Sequence, residues 1–280
     1  MKISLLVIIY NEKIVDTTTY LSLKSALPVI NSSPHQYNIF FWDNSQLDHL
    51  QNSVADIKND FKGSGVSCEY HHNPQNVPLA EIYNAMLNKV ENSDDYLVLF
   101  DQDSTFEPGF FDELHKSIEL GKQPEIILPV IYFKNPIISP TKIFIIKGSY
   151  FDTKPTGYIS HNISAINSGM VISLEFIRRT GFRYNSKLRN YCTDDDIMKS
   201  ARDNFAIIYV MDYSFAHDLT LSTLNSNSDK LRERYNEMIK SKKIVFAKNI
   251  ATRLFLHFYY FSHRVYMSLK YKDWRYMKAE

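Results

Sequence analysis

Two groups of carboxylates in this sequence have the spacing to do chemistry: Asp101-Gln102-Asp103 and Asp194-Asp195-Asp196. The first follows the apolar run Tyr96–Phe100. An Asp-x-Asp pair fixed at a strand end offers oxygen ligands to Mg²⁺ or Mn²⁺, which often bind through one or two carboxylates plus substrate phosphates. A solvated turn rich in Asp is the plain alternative. In the second group, mutual repulsion and partial burial raise the proton affinity of one carboxylate and make it a general base. The alternative there is helix capping, because acids favour a first helical turn. His217 is a candidate third metal ligand, although a lone His is as readily structural. Glycine signatures for phosphate are missing: Gly63 and Gly65 precede a strand and lack a third partner, and there is no Gly-Lys-Ser/Thr loop. Any nucleotide is therefore held by side chains and a metal.

The elements that must position these groups alternate along the first half of the chain. Ile3–Ile9 is an apolar run of the kind buried on both faces. Val15–Leu27 is expected to be a helix stopped by Pro28. Asn38–Trp42, Val66–His71 and Tyr96–Phe100 follow as strands, with a polar helix ending near Phe61 and another opening at Pro78. Such alternation predicts a parallel sheet with helices on both faces, whose ligands sit at the carboxyl ends of the strands. Tyr10-Asn11-Glu12, Asp43-Asn44-Ser45 and Asp101-Gln102-Asp103 all fall at such ends. Further on, strands are expected over Ile126–Tyr132, Ile143–Ile146, Ile166–Ser173 and Ala206–Met211, with a Pro-rich link over Asn135–Pro140. Helices are expected through Arg179, over Asp194–Asp203, and from Ser228 onward.

Composition agrees with an ordinary globular α/β chain: 280 residues, 44% hydrophobic and 22% charged, with a net charge of +1. Disorder and low-complexity classes are excluded. No apolar run approaches the ~18–20 residues of a membrane span. Cys68 and Cys192 form neither a disulfide framework nor a zinc site, and no leader cleavage pattern follows the first strand, so a cytoplasmic location is expected. Charge is polarised. From Lys230 to Glu280, thirteen Lys and Arg face four acids, a surplus of nine, which leaves residues 1–229 at −8. That division predicts an acidic body over 1–228 and a basic, aromatic helical extension over 229–280.

In this order the motifs resemble the family 2 nucleotide-sugar glycosyltransferases, over about residues 3–220. The resemblance implies the GT-A fold, a Rossmann-like, mixed but mostly parallel sheet flanked by helices, here with the C-terminal extension. By the same resemblance Tyr10, Asn11, Glu12 and Asp43 line the base and ribose pocket. Asn76 and Asn84 correspond to an Asn-rich turn and an inward Asn on the following helix. Asp101 and Gln102 meet the donor, and Asp101, Asp103 and His217 hold Mn²⁺ or Mg²⁺. Ile166-Asn167-Ser168-Gly169-Met170 resembles the floor beneath donor and acceptor, so Ser168 and Gly169 count among the donor-binding residues. Thr193-Asp194-Asp195-Asp196-Ile197 resembles the motif that carries the base, a role assigned by that likeness to Asp194. Asp-Gln-Asp-Ser is most similar to rhamnosyltransferases. The implied donors are dTDP-rhamnose or a UDP-hexose, and the implied acceptor is a bacterial-type surface glycan or lipid-linked saccharide.

Asp101-Gln102-Asp103-Ser104-Thr105 also resembles haloacid-dehalogenase-like phosphatases, in which Asp101 would be the nucleophile and Mg²⁺ the cofactor. That family carries its motif on the first strand. A sugar-binding module without turnover would explain neither acidic cluster. In the extension, Leu254, Phe258, Phe261, Val265 and Leu269 share one helical stripe, with Arg253, His257 and Arg264 on another. Such a helix packs on the body, meets a second copy in a homodimer, or lies peripherally on an anionic inner membrane face. No nucleic-acid recognition motif accompanies the charge.

Overall fold

The computed structural model describes residues 1–47, 54–62, 65–160, 162–216 and 228–278. Its first half runs β1 (Lys2–Ile9), α1 (Thr18–Ser32), β2 (Gln36–Asp43), α2 (Val54–Asp60), β3 (Val66–His72), α3 (Leu79–Val90), β4 (Tyr96–Asp101) and α4 (Gly109–Ile118). Then come β5 (Ile126–Tyr132), β6 (Ile137–Ser139), β7 (Thr141–Phe144), β8 (Lys147–Ser149), β9 (Gly157–Ile159) and β10 (Ile163–Ser164). β11 (Met170–Ser173), α5 (Leu174–Thr180), α6 (Thr193–Asp203) and β12 (Ile208–Ala216) complete the body, followed by α7 (Ser228–Phe246) and α8 (Ile250–Tyr271).

Strand alternation builds two apolar layers, because successive side chains leave opposite faces of a sheet. Leu6 and Ile8 of β1, with Leu97 and Leu99 of β4, join one layer beneath α3, α5 and α6. Leu5, Val7 and Ile9, with Val98 and Phe100, join the other beneath α1, α2 and α4. Among the described residues the central sheet has nine strands, in the order β3-β2-β1-β4-β11-β5-β12-β9, with β6 on β5. β3, β2, β1 and β4 are parallel, so their carboxyl ends share one edge. β11 is antiparallel between β4 and β5, and Met170 pairs with Leu99. That reversal brings the turn before β11 to the same edge, beside Asp101.

Four elements depart from the sequence reading, the first being the strand expected over Ile143–Ile146: it runs over Thr141–Phe144 instead, and Ile145-Ile146 turn the chain into β8. Pro28 lies inside α1, not at its end. A proline costs one backbone hydrogen bond there, but Ile30 beyond it is buried, and its packing carries the helix on to Ser32. The strand expected over Ile166–Ser173 begins only at Met170. Gly169 adopts a left-handed φ of +75°, and the Met170 amide closes a turn onto the Asn167 carbonyl at 2.8 Å. Within the expected link Asn135–Pro140, β6 pairs with β5.

α7 and α8 share the body's core. Tyr235, Ile239, Phe246, Leu256 and Tyr260 bury in the same cluster as Leu128 and Ile172. Asn249 starts α8 with a reciprocal cap: its side chain accepts from the Thr252 amide at 2.8 Å, and the Thr252 hydroxyl accepts from the Asn249 amide at 3.1 Å. No helix among the described residues is long and apolar enough to cross a membrane.

The turn at Gly169 yields a direct test. A Cβ there would stand 2.9 Å from Pro129 Cγ and 3.3 Å from Phe215 Cε1, on a backbone that L residues avoid. Gly169→Ala should cost about 1–3 kcal/mol, the usual range for overpacking a core. Urea denaturation reads it, and an unchanged midpoint would contradict the geometry.

Candidate active site

Three polar strand ends converge because their strands are parallel and in register: Ile8 pairs with Asp101, Ile9 with Asp43, and Asp43 with His72. The loops after them are cross-linked. The Tyr10 amide donates to Gln102 Oε1 at 2.6 Å, and Gln102 Nε2 donates to Glu12 at 2.6 Å. The Asn11 amide donates to the Ser45 hydroxyl at 2.7 Å. Asn11 and Asn76 both take left-handed φ values, 54° and 48°, a conformation that Asn tolerates better than most residues. Thr19, at the start of α1, accepts from the Ser104 amide at 3.0 Å and donates to the Asp101 carbonyl at 2.5 Å. These bonds hold the loop that carries Asp101, Gln102 and Asp103.

Each expected donor residue has a definite place. Asp43 is fully buried, accepting from the Ser45 amide at 2.9 Å and from the Tyr70 hydroxyl at 3.0 Å. Tyr10 is exposed. Asn76 accepts from Asn44, and Asn44 in turn holds both the carbonyl and the amide of Val77. Asn84 exchanges two bonds of 2.8 Å with the backbone of Tyr184, so its amide is committed to that segment. Ser168 is buried and donates to Asp101 Oδ2 at 2.5 Å. Gly169 is the tight turn described above. His217 lies outside the described residues.

The pleat sends Asp101 to the α3/α6 face, where Asp194 stands in the first turn of α6. Cys192, just before that helix, has a left-handed φ of 66° and no side-chain cap. Such strain costs on the order of 1–3 kcal/mol and collects at functional sites. Asp194 is half-buried, yet sunk among enough protein atoms to be pushed up to about 7. Desolvation is the main cause and the charge of Asp195 the next. Lys242 of α7 opposes the rise, and Asp101 adds to it. Asp195 is neutralised directly, with Lys242 Nζ at 2.6 Å. Asp196 accepts from the Asn185 amide at 2.8 Å, and burial raises its proton affinity against that bond.

Some residues of this site had no role of their own in the sequence reading, and Asn167 entered it only within the Ile166–Met170 motif. Tyr83 is buried between the two carboxylates, and burial followed by the charge of Asp101 raises its phenol well above the usual value. It looks like an ordinary core position on α3. Asn167 donates to Tyr83 and to Thr193, joining the β11 turn to the start of α6. Glu233, Arg234 and Glu237 of α7 face Tyr10, Asn44 and Asn76 across a cleft of about 480 Å³. Charge pattern alone could not place α7 there.

The donor set fits a divalent cation. Among the described residues no cation pairs with Asp101, and its charge adds, after desolvation and the charge of Asp195, to the raised proton affinity of Asp194. Among the described residues no three His, Cys, Asp or Glu side chains converge as a closed site. An ion here is one held by one or two carboxylates and completed by substrate phosphate or water.

Against known proteins, no family model matches the sequence, and no curated protein matches it. Solved structures do match. S. aureus TarS superposes with a TM-score of 0.57 at 14% identity, covering 87% of this chain and 44% of TarS. The fold is GT-A. TarS 1–349 in complex with UDP gives 0.56 at 14% identity over 89% of this chain and 67% of that one. GalNAc-T7 with UDP, GalNAc and Mn²⁺ gives 0.54 at 13%, over 84% and 48%. The chain thus spans less than half the length of full TarS. In this GT-A body Asp101 ends the fourth strand, not the first, as the phosphatase reading requires.

A carboxyl group pushed up to about 7 sets a pH dependence. Only the deprotonated form accepts a proton, so turnover that uses Asp194 should rise with pH to a plateau above 7. It should stand about tenfold below the plateau one unit beneath the midpoint. Lys242→Met removes the charge that opposes the rise and should move the limb to higher pH. A limb near 4, or one unmoved by Lys242→Met, would contradict the assignment.

Proposed function

We propose that this protein is an inverting glycosyltransferase that moves a sugar from a nucleoside-diphosphate donor to a hydroxyl. The observation that carries the reading is the meeting of Asp101 with a base-like Asp194 at the polar edge of a GT-A sheet. Structural neighbours solved with UDP, UDP-GlcNAc and Mn²⁺ support a sugar-nucleotide ligand. Tyr10, Asn11, Glu12 and Asp43 are assigned to the nucleoside, with Asn76 and Gln102 around the donor, Ser168 and Gly169 beneath it, and Asn84 positioning the Tyr184 segment behind it. Asp101 and Asp103 would hold Mn²⁺ or Mg²⁺, with His217 as a further candidate. A divalent ion there would supply neutralisation of the charge on the leaving diphosphate.

Asp194 takes the proton of the acceptor hydroxyl. The acceptor oxygen bonds to the anomeric carbon while the bond from that carbon to the phosphate oxygen breaks, and the nucleoside diphosphate leaves with the electron pair. A single displacement inverts the anomeric centre. Ser168 orients Asp101 by its hydrogen bond, and Lys242 keeps Asp195 from competing for the proton. The donor is assigned as dTDP-rhamnose or a UDP-hexose, and the acceptor as a bacterial-type surface glycan or lipid-linked saccharide. The enzyme is placed in the cytoplasm, with its basic extension against an anionic membrane face.

Binding and chemistry separate by mutation. Thermal shifts with dTDP-rhamnose, UDP-glucose and UDP-GlcNAc, with and without Mn²⁺, should show metal-dependent stabilisation by at least one donor. Asp103→Asn should abolish the metal dependence. Asp194→Asn should leave donor binding within a few-fold and cut turnover by about 10²–10⁴, the range of general-base catalysis. Equal loss of donor affinity in Asp194→Asn, or no stabilisation by any donor, would contradict the reading.

A further inference from the structure

The apolar stripe of α8 does not pack on the body. Leu256 and Tyr260 take that role, while Ile250, Leu254, Phe258, Phe261 and Leu269 stay exposed at 76%, 55%, 66%, 55% and 63%. At the N-terminal end of the stripe lies a cavity of about 420 Å³ between the β7–β8 hairpin, α6 and the α7–α8 junction. Lys199, Arg202 and Lys248 line it, together with Phe144, Ile145 and Phe255. Asp203 stands near all three cations, 3.6 Å from Lys248 and 3.9 Å from Arg202, and also pairs with Lys199. One carboxylate against three cations leaves a local surplus of two positive charges. Burial, and the nearby charge of Lys248, lower the proton affinity of Lys199 despite its pairing with Asp203.

The hairpin tip adds a second observation. Its two-residue turn is Ile145-Ile146, where Asn-Gly or similar pairs are favoured. Ile145 takes a left-handed φ of 58°, a true outlier for a β-branched residue. Phe144 and Ile145 stand 79% and 43% exposed at the rim of the cationic cavity. A turn built only for stability would carry neither residue there.

We propose that this face is an interfacial docking surface for an anionic membrane: the cavity takes the phosphate of an anionic phospholipid, and the hairpin tip and the α8 stripe enter the acyl boundary around it. The proposal deepens the peripheral contact assigned above and rests on it. Apolar residues rimmed by cations are the chemistry of a helix lying in an interface. A second copy fits less well, because a two-fold contact through this face would set like-charged cavities against each other. Lys199 is five residues beyond Asp194 on α6, about 7.5 Å along the axis. Docking here would hold the cleft close to the bilayer surface.

The test is co-sedimentation of the full chain with vesicles of phosphatidylglycerol and phosphatidylcholine, compared with phosphatidylcholine alone, at low and high salt. The expected result is salt-sensitive binding to the anionic vesicles only. Each cation near such a surface is worth about a fivefold change in partition, so Lys248→Glu, a change of two charges, should weaken binding roughly 25-fold. Phe144→Ser with Ile145→Gly should weaken it while relieving the turn, and inorganic phosphate should compete only weakly. Donor-induced thermal shifts on the same variants should stay unchanged, which shows the fold intact. Wild-type binding that survives both variants would overturn the cavity but leave peripheral contact standing. No anionic binding by the wild type would overturn both, as would a dimer in sedimentation velocity that Phe258→Ser dissolves.

Discussion

Burial of carboxylates at one edge of the sheet, with their mutual repulsion added to it, is the constraint around which the site is arranged. Asp101 of β4 is brought to Asp194 and Asp195 of α6, an element distant in sequence, in surroundings partly stripped of water. Left alone, such a cluster would take up protons or push its carriers apart. Two features hold it. Lys242 neutralises Asp195 at 2.6 Å, and the buried Ser168 hydroxyl bonds to Asp101 at 2.5 Å. The charge that remains uncompensated at Asp101 suits a cation, and the proton affinity it helps to raise suits a base.

This arrangement makes the C-terminal helices part of the electrostatics of the GT-A body. α7 supplies the lysine that sets the balance, and it also walls the cleft opposite Tyr10, Asn44 and Asn76. α8 is anchored through Leu256 and Tyr260 in the same core cluster as the sheet. The surplus of positive charge in the last fifty residues is thus divided between two tasks. Lys242 faces inward to the acidic cluster, while Lys248 stands at the outer rim of a separate cavity.

Much of the architecture was legible because parallel sheets write themselves plainly. β1, β2 and β4 are apolar runs that each end in a polar triplet, and the triplets meet for the simple reason that parallel strands end at one edge. The antiparallel β11 was harder. Its short run could not reveal direction, and Gly169 cut it in half through a backbone conformation that composition does not announce. Pro28 misled in the opposite sense, since burial of Ile30 outweighed a local breaker. In the site, Asp101 and the Asp194–Asp196 cluster were readable from spacing and Asp194 was singled out by the family likeness, whereas Lys242 was hidden by its separation of 47 residues from Asp195. Tyr83 was hidden because an aromatic on a helix's apolar face reads as core. The exposed stripe of α8 was visible as a pattern, but only packing could tell which face turned outward.

The account stands most directly on the state of one carboxyl group. Carbon-13 NMR of the aspartate side chains, with Asp194→Asn used for assignment, follows its titration without reference to any acceptor. The account predicts that Asp194 titrates near 7 in the free protein, and that its midpoint falls when Mn²⁺ or Mg²⁺ and UDP occupy the site, since a cation beside Asp101 favours the charged form. A midpoint near 4 in the free protein, unmoved by metal and nucleotide, would contradict the claim that burial and carboxylate crowding at this edge make both the base and the cation site.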